Sequence, residues 1–180
     1  WGPDAACGGI AGVVGTRVGY AGGTKADPPY EVLGDHTEVV QIDCGPDRVP
    51  FGDLLAQAFD AHTPYRQSTK RQYQHIIFTE TDDQRAQLRA YLDTGEYDLD
   101  RVETRLERLS TFHLAESYHQ KFNLSGARWA TDPFADAGYD ETDIRESPAA
   151  AKLNAHLGGH EVNVPFLDTG EQRPPGSSTN

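Results

Sequence analysis

The chain has 180 residues, enough to bury the core of one domain, and 37% of them are hydrophobic, as in a globular protein. Acidic residues outnumber basic ones 28 to 16, a net charge of −12, so nucleic acid and anionic membranes are poor partners for its surface. No apolar run reaches membrane-spanning length and no signal-peptide pattern is present, so a cytoplasmic protein is expected.

Lysine is scarce beside the carboxylates: only Lys25, Lys70, Lys121 and Lys152. A high-salt cytoplasm selects such a surface, because carboxylates hold water and charge when salt screens everything else. Cys7 and Cys44 do not make a disulfide framework, and no Cys/His cluster has metal-ligand spacing, so no metal site is expected. The sequence opens on Trp1 and holds no Met, which reads as a chain short of its first residues.

In chain order, Pro3 followed by Asp4-Ala5-Ala6 reads as a first helical turn, weakened by Gly8-Gly9. Val13-Val14 through Val18 reads as a strand, then Gly19 to Gly23 and Asp27-Pro28-Pro29-Tyr30 as loop. Glu38 to Ile42 is a second strand, ended by Gly45-Pro46-Asp47. Leu54, Leu55, Ala58, Phe59 and His62 recur at helical spacing and predict a helix over 51–62. Gln74 to Phe78 is the next strand, and Thr81 with Gln84 has capping-box spacing ahead of a helix carrying Ala86, Leu88, Ala90 and Leu92. Alternation at Val102, Thr104 and Leu106 predicts a half-buried strand. Helices are expected at Ala115 to Phe122 and Ala149 to His156, and the end of the chain reads as a poorly ordered tail. The sum is an α/β (α+β) fold, a single-domain sandwich over 1–160 with a mixed central sheet flanked by helices, and a tail over 161–180.

Five segments carry a resemblance. They are Trp1-Gly2; Gly19-Tyr20-Ala21-Gly22-Gly23 with Asp27-Pro28-Pro29-Tyr30; His36-Thr37-Glu38-Val39-Val40; Gln72-Tyr73; and Ala115-Glu116-Ser117-Tyr118-His119-Gln120. In order and spacing they resemble the A-type peptide methionine sulfoxide reductases. That family opens its active site with Gly-Cys-Phe-Trp-Gly, of which Trp1-Gly2 are the last two, so the resemblance puts the nucleophilic cysteine two residues ahead of Trp1. A thiol before a helix N-terminus lies in the positive end of the dipole, which favours thiolate. The thiolate attacks the sulfoxide sulfur, a sulfenic acid forms and an outside thiol reduces it.

The resemblance implies a role for four residues. Glu38 is the acid that protonates the sulfoxide oxygen, a task for a carboxyl buried enough to keep its proton. Tyr30 and Tyr73 are neutral donors to that oxygen, and Trp1 is the aromatic wall for the substrate methyl group. His36 and His119 read as structural hydrogen-bonding residues.

The implied function is thiol-dependent reduction of methionine S-sulfoxide, free or in proteins, with no cofactor and a thioredoxin-like reductant. Departures are Ser68 where the family has Asp, a shortened segment between His62 and Tyr73, and a shortened loop Glu31 to Asp35. No cysteine follows Cys44, so recycling falls to an outside thiol or to Cys44. The alternative is a non-catalytic relative that binds oxidised methionine or a protein partner.

The high-salt reading predicts that the melting temperature rises between dilute buffer and molar KCl, as repulsion among carboxylates is screened. A flat or falling value, followed by circular dichroism, returns the protein to the ordinary acidic class.

Overall fold

A computed structural model describes residues 2–45, 47–94 and 96–162. Trp1 and most of the expected tail, from residue 163 on, lie outside the described residues. Helix α1 (Gly2–Gly9) has Pro3 and the acidic Asp4 in its first turn, where a missing N–H and a negative charge are tolerated. Strand β1 (Val13–Ala21) follows, then a 3₁₀ turn at Tyr30–Val32 and strand β2 (Thr37–Cys44). Helix α2 (Phe51–Asp60), a 3₁₀ turn at Arg71–Tyr73, strand β3 (Ile76–Thr79) and helix α3 (Asp82–Leu92) come next. After β4 (Arg105–Arg108) and β5 (Phe112–Leu114) the chain is helical: α4 (Phe122–Ser125), α5 (Arg128–Asp136), α6 (Glu141–Glu146) and α7 (Pro148–Leu157).

The fold is α+β. Strand β1 is the centre of an antiparallel sheet ordered β2-β1-β5, while β3 and β4 pair in parallel. Both pairing directions of the expected mixed sheet are thus present, divided between two sheets among the described residues. Three apolar clusters sit under these elements. Leu55 and Phe59 of α2 pack with Leu88 and Leu92 of α3; Leu124, Ala130, Ala150 and Leu153 join the C-terminal helices. The third cluster, Val18, Tyr20, Leu33 and Ala115 with Tyr30 against it, lies beneath the candidate site.

Four local readings need correction. The glycine-rich segment at 19–21 is strand, not loop: β5 approaches so closely that a Cβ on Gly19 would collide with the Phe112 ring and the His113 carbonyl. Strand β4 starts at Arg105, because the N–H groups of Glu103 and Thr104 are taken by the Pro64 carbonyl (2.8 and 3.2 Å). Strand β3 starts at Ile76 for a like reason, since the His75 N–H donates to Gln67 (2.7 Å).

The expected helix over 115–122 is broken into a 3₁₀ turn at Ser117–His119 and the short α4. Gln120 there is extended, and its buried amide pairs with both backbone groups of Val18 (3.0 and 2.9 Å) as a strand neighbour would.

The next residue, Lys121, takes the left-handed conformation (φ 48°), a cost of about 1–2 kcal/mol for a side chain with a Cβ. In return its ammonium reaches the interior. Lys121 Nζ donates to the Thr16 carbonyl (2.5 Å) and hydroxyl (3.0 Å) and lies 3.8 Å from Asp4 of α1. Asp4 accepts from the Thr16 hydroxyl (2.5 Å) and from the Asn154 amide of α7 (2.9 Å). Asp4 and Lys121 are only 2% and 1% exposed. Burial lowers the Lys121 ammonium from its usual range, and Asp4 opposes that shift.

Removing one partner of a buried, hydrogen-bonded pair strands the other charge. Lys121→Met is therefore expected to lower the unfolding free energy by about 3 kcal/mol in a urea titration. A loss below about 1 kcal/mol would mean that the hydrogen bonds from Thr16 and Asn154 suffice for Asp4.

Candidate active site

Glu38 is the second residue of β2, and the β1–β2 register sets it opposite the buried Tyr20. Its neighbour Thr37 is fully buried and fastens the strand to the 3₁₀ turn at Arg71–Tyr73: the Thr37 hydroxyl donates to the Arg71 carbonyl (3.0 Å) and accepts from Arg105 (3.2 Å). The Arg71 guanidinium closes the other side, donating to the carbonyls of Asp35 (3.0 Å) and Gly22 (3.3 Å). So held, the turn presents Gln72, whose Nε2 donates to Glu38 Oε1 at 2.6 Å. Glu38 is half-buried, not the enclosed carboxyl expected from sequence.

Tyr30 comes from a second 3₁₀ turn. Its backbone N–H donates to Glu116 Oε1 (3.0 Å), and its ring packs on His119 with centroids 4.5 Å apart. Its phenol is pushed above the usual range, first by the neighbouring Glu38 carboxyl, then by burial, then by the nearby Tyr73 phenol. It is therefore a neutral donor at physiological pH. Tyr73 is 49% exposed, with Lys70 Nζ 6.0 Å from its ring centre. The structure thus brings Glu38, Tyr30 and Tyr73 together from three segments.

A second carboxylate supports the first group. Glu116 Oε2 accepts from the Tyr20 hydroxyl (2.6 Å) while Oε1 takes the Tyr30 N–H. Burial alone would raise Glu116, but these donors outweigh it and hold the carboxyl below its usual range. Tyr20 moves the other way, upward, through burial and its bond to Glu116. His119 lies 4.0 Å from Glu116, and burial lowers its imidazole. His36 is fixed by backbone: Nδ1 accepts from the Gly23 N–H (3.2 Å) and Nε2 meets the Lys25 carbonyl (2.8 Å), which is the structural use expected of it.

Ser68 shapes the turn that carries Tyr73, its hydroxyl accepting from the Lys70 N–H (3.2 Å) and its carbonyl from the Gln74 amide (3.2 Å). The sequence reading gave no role to Gln72, Glu116 or Tyr20. All three stood inside the quoted motifs, and Gln72 directly before Tyr73 was the available signal.

Neither cysteine joins the group. Cys7 sits mid-way along α1, partly buried, and its thiol is pushed up to about 12 by burial and by the charge of Asp4. Cys44 is the last residue of β2; at ~3.3 Å per residue it stands roughly 20 Å from Glu38 along the strand. Its thiol too is raised, by burial and then Asp43. Among the described residues no three His, Cys, Asp or Glu side chains are grouped to hold a metal ion, and no helix is long and apolar enough to cross a membrane.

The sequence model described as "Peptide methionine sulfoxide reductase" matches residues 1–133. The chain belongs to that family. A peptide methionine sulfoxide reductase of Drosophila melanogaster is 34% identical over 163 residues, covering 88% of this chain and 65% of its own. One from Haloquadratum walsbyi is 37% identical over 133 residues, 68% of this chain and 76% of its own. The solved methionine sulfoxide reductase A of Corynebacterium diphtheriae superposes with a TM-score of 0.56 at 30% identity, covering 63% of this chain and 64% of that one. Mxr1 of Saccharomyces cerevisiae in reduced form, at 22% identity and a TM-score of 0.50 over 58% of this chain and 66% of that one, shares the fold. The chain spans less than two thirds of the length of the first curated relatives it matches, 65% for the fly protein and 63% for a rice relative.

The position of Cys7 gives a direct test. Between 9.0 and about 12 its thiolate fraction falls about a thousandfold, and the greater intrinsic nucleophilicity of a high-pKa thiolate recovers only part of that. Alkylation of Cys7 by iodoacetamide at pH 8, read by peptide mass spectrometry, is expected to run about 30-fold slower than that of free cysteine. Labelling at the free rate would return Cys7 to consideration as a nucleophile.

Proposed function

We propose that this protein reduces methionine S-sulfoxide, free or in proteins, with thiol as the source of electrons. The observation that carries the reading is the convergence of Glu38, Tyr30 and Tyr73, with Gln72 bonded to Glu38 and the Tyr30 phenol facing the Glu38 carboxyl. The attacking sulfur is a cysteine two residues ahead of Trp1, the position that the family's Gly-Cys-Phe-Trp-Gly motif gives it.

In this reading the two phenols donate to the sulfoxide oxygen and draw electron density from sulfur. The cysteine thiolate attacks that sulfur, Glu38 passes a proton to the oxygen, and the S–O bond breaks as the oxygen moves to the cysteine. Methionine leaves and the cysteine is a sulfenic acid, two electrons poorer. One outside thiol expels water to form a mixed disulfide, and a second thiol restores the cysteine. A thioredoxin-like dithiol in the cytoplasm fits both steps, and the distance of Cys44 from Glu38 supports an outside reductant. Trp1 is the apolar wall for the substrate methyl group.

Two proteins test the proposal: the 180-residue chain, and the same chain with Gly-Cys-Phe placed before Trp1. Loss of a methyl sulfoxide substrate, followed with dithiothreitol, is expected only in the second. There Glu38→Gln should slow single-turnover reduction about 100-fold with the melting temperature kept. An inactive extended chain sinks the reductase reading and favours a binding role, and an unchanged rate in Glu38→Gln removes Glu38 as the acid.

A further inference from the structure

A carboxyl that delivers a proton has two unlike oxygens, one carrying hydrogen and one only accepting. Unless something distinguishes them, the proton occupies either, and half of the molecules hold it on the wrong side. Glu38 Oε1 receives Gln72 Nε2 at 2.6 Å. An amide N–H pairs with an accepting oxygen, so this contact leaves Oε2 for the proton.

The amide is itself held in place. The Gln72 backbone lies in a turn whose first carbonyl, that of Arg71, accepts from the Thr37 hydroxyl (3.0 Å) and from the Gln74 N–H (3.2 Å). Arg71 spans the Asp35 and Gly22 carbonyls, and Gln74 reaches back to the Ser68 carbonyl. The same amide lies near the Tyr30 phenol, where it slightly offsets the upward push from Glu38.

We propose that Gln72 is a positioning residue that orients the Glu38 carboxyl, its amide occupying Oε1 so that the proton is carried on Oε2 toward the sulfoxide oxygen. The inference rests on the reductase reading above and adds to it a residue that never touches the reacting sulfur.

The test is a double-mutant cycle in the protein carrying Gly-Cys-Phe before Trp1, with dithiothreitol and a methyl sulfoxide. Gln72→Met keeps length and removes the donor; Gln72→Asn keeps the amide but withdraws it by one methylene. Each is expected to lower kcat about tenfold with KM unchanged, which corresponds to the loss of one net hydrogen bond. In a Glu38→Gln background neither substitution should cause further loss, because the group they act through is gone. A residue that merely braces the turn would cost the same factor in both backgrounds. That additive result, or an unchanged kcat in both Gln72 variants, overturns the inference while a slow Glu38→Gln protein leaves the reductase reading standing. An unaffected Glu38→Gln protein overturns the inference and removes Glu38 as the acid, while turnover by the extended chain keeps the reductase reading.

Discussion

Asp4 and Lys121 form the contact on which the arrangement of this molecule turns, because it ties four parts of the chain to one buried point. Asp4 belongs to the first turn of α1, Lys121 follows the Ser117–His119 turn, and Thr16 and Asn154 bring in β1 and α7. Such a pair is no strong source of net stability, since two well-packed apolar residues could serve as well. Its value is positional. The Lys121 ammonium reaches Thr16 from a left-handed backbone, and that residue is the N-cap from which α4 starts. The Asn154 side-chain amide oxygen then takes two N–H groups in the first turn of α4, those of Asn123 (2.9 Å) and Leu124 (3.2 Å). His119, two residues before Lys121, is thereby set against Tyr30.

Two carboxyls lie near the same tyrosines and are made different by their donors. Glu116 receives a phenol and a backbone N–H and stands close to His119, an environment that favours the ionised form. It serves as a fixed anchor beneath Tyr30. Glu38 has the Gln72 amide on one oxygen, and its charge acts on the nearby Tyr30 phenol. The two carboxyls differ in the donors that each strand and turn supplies: a phenol and a backbone N–H for Glu116, a side-chain amide for Glu38.

Much of the fold could be read locally. Thr81 and Gln84 form the capping box that their spacing predicts, Leu55 and Phe59 are the buried stripe of α2, and α7 stands where a helix over 149–156 is expected. What escaped had a weak local signal. Strand β5 is three residues long and exists because Gly19 lets it approach. Helix α6 is six residues in an acidic stretch, with Asp140 and Asp143 capping each other in place of the usual Glu or Gln. In the site, Glu38, Tyr30 and Tyr73 were legible only through motif resemblance. The motif placed Gln72 beside Tyr73, but its contact with Glu38 depends on Gly22, Asp35, Thr37 and Arg105 pinning one turn from outside it.

The buried pair also bears on where a thiolate is favourable. A negative charge in the first turn of a helix normally works against an anion placed at the same N-terminus, and Asp4 is in that turn of α1. Here its carboxylate is turned inward, bonded to Thr16 and Asn154 and faced by the Lys121 ammonium. The negative charge is thus largely met within the core. Cys7 has the opposite surroundings: mid-helix, where the terminal N–H groups do not point at it, partly buried, and on the side of the helix where Asp4 raises its thiol. Cys7 is therefore held as a protonated thiol, by burial and by the aspartate one turn before it.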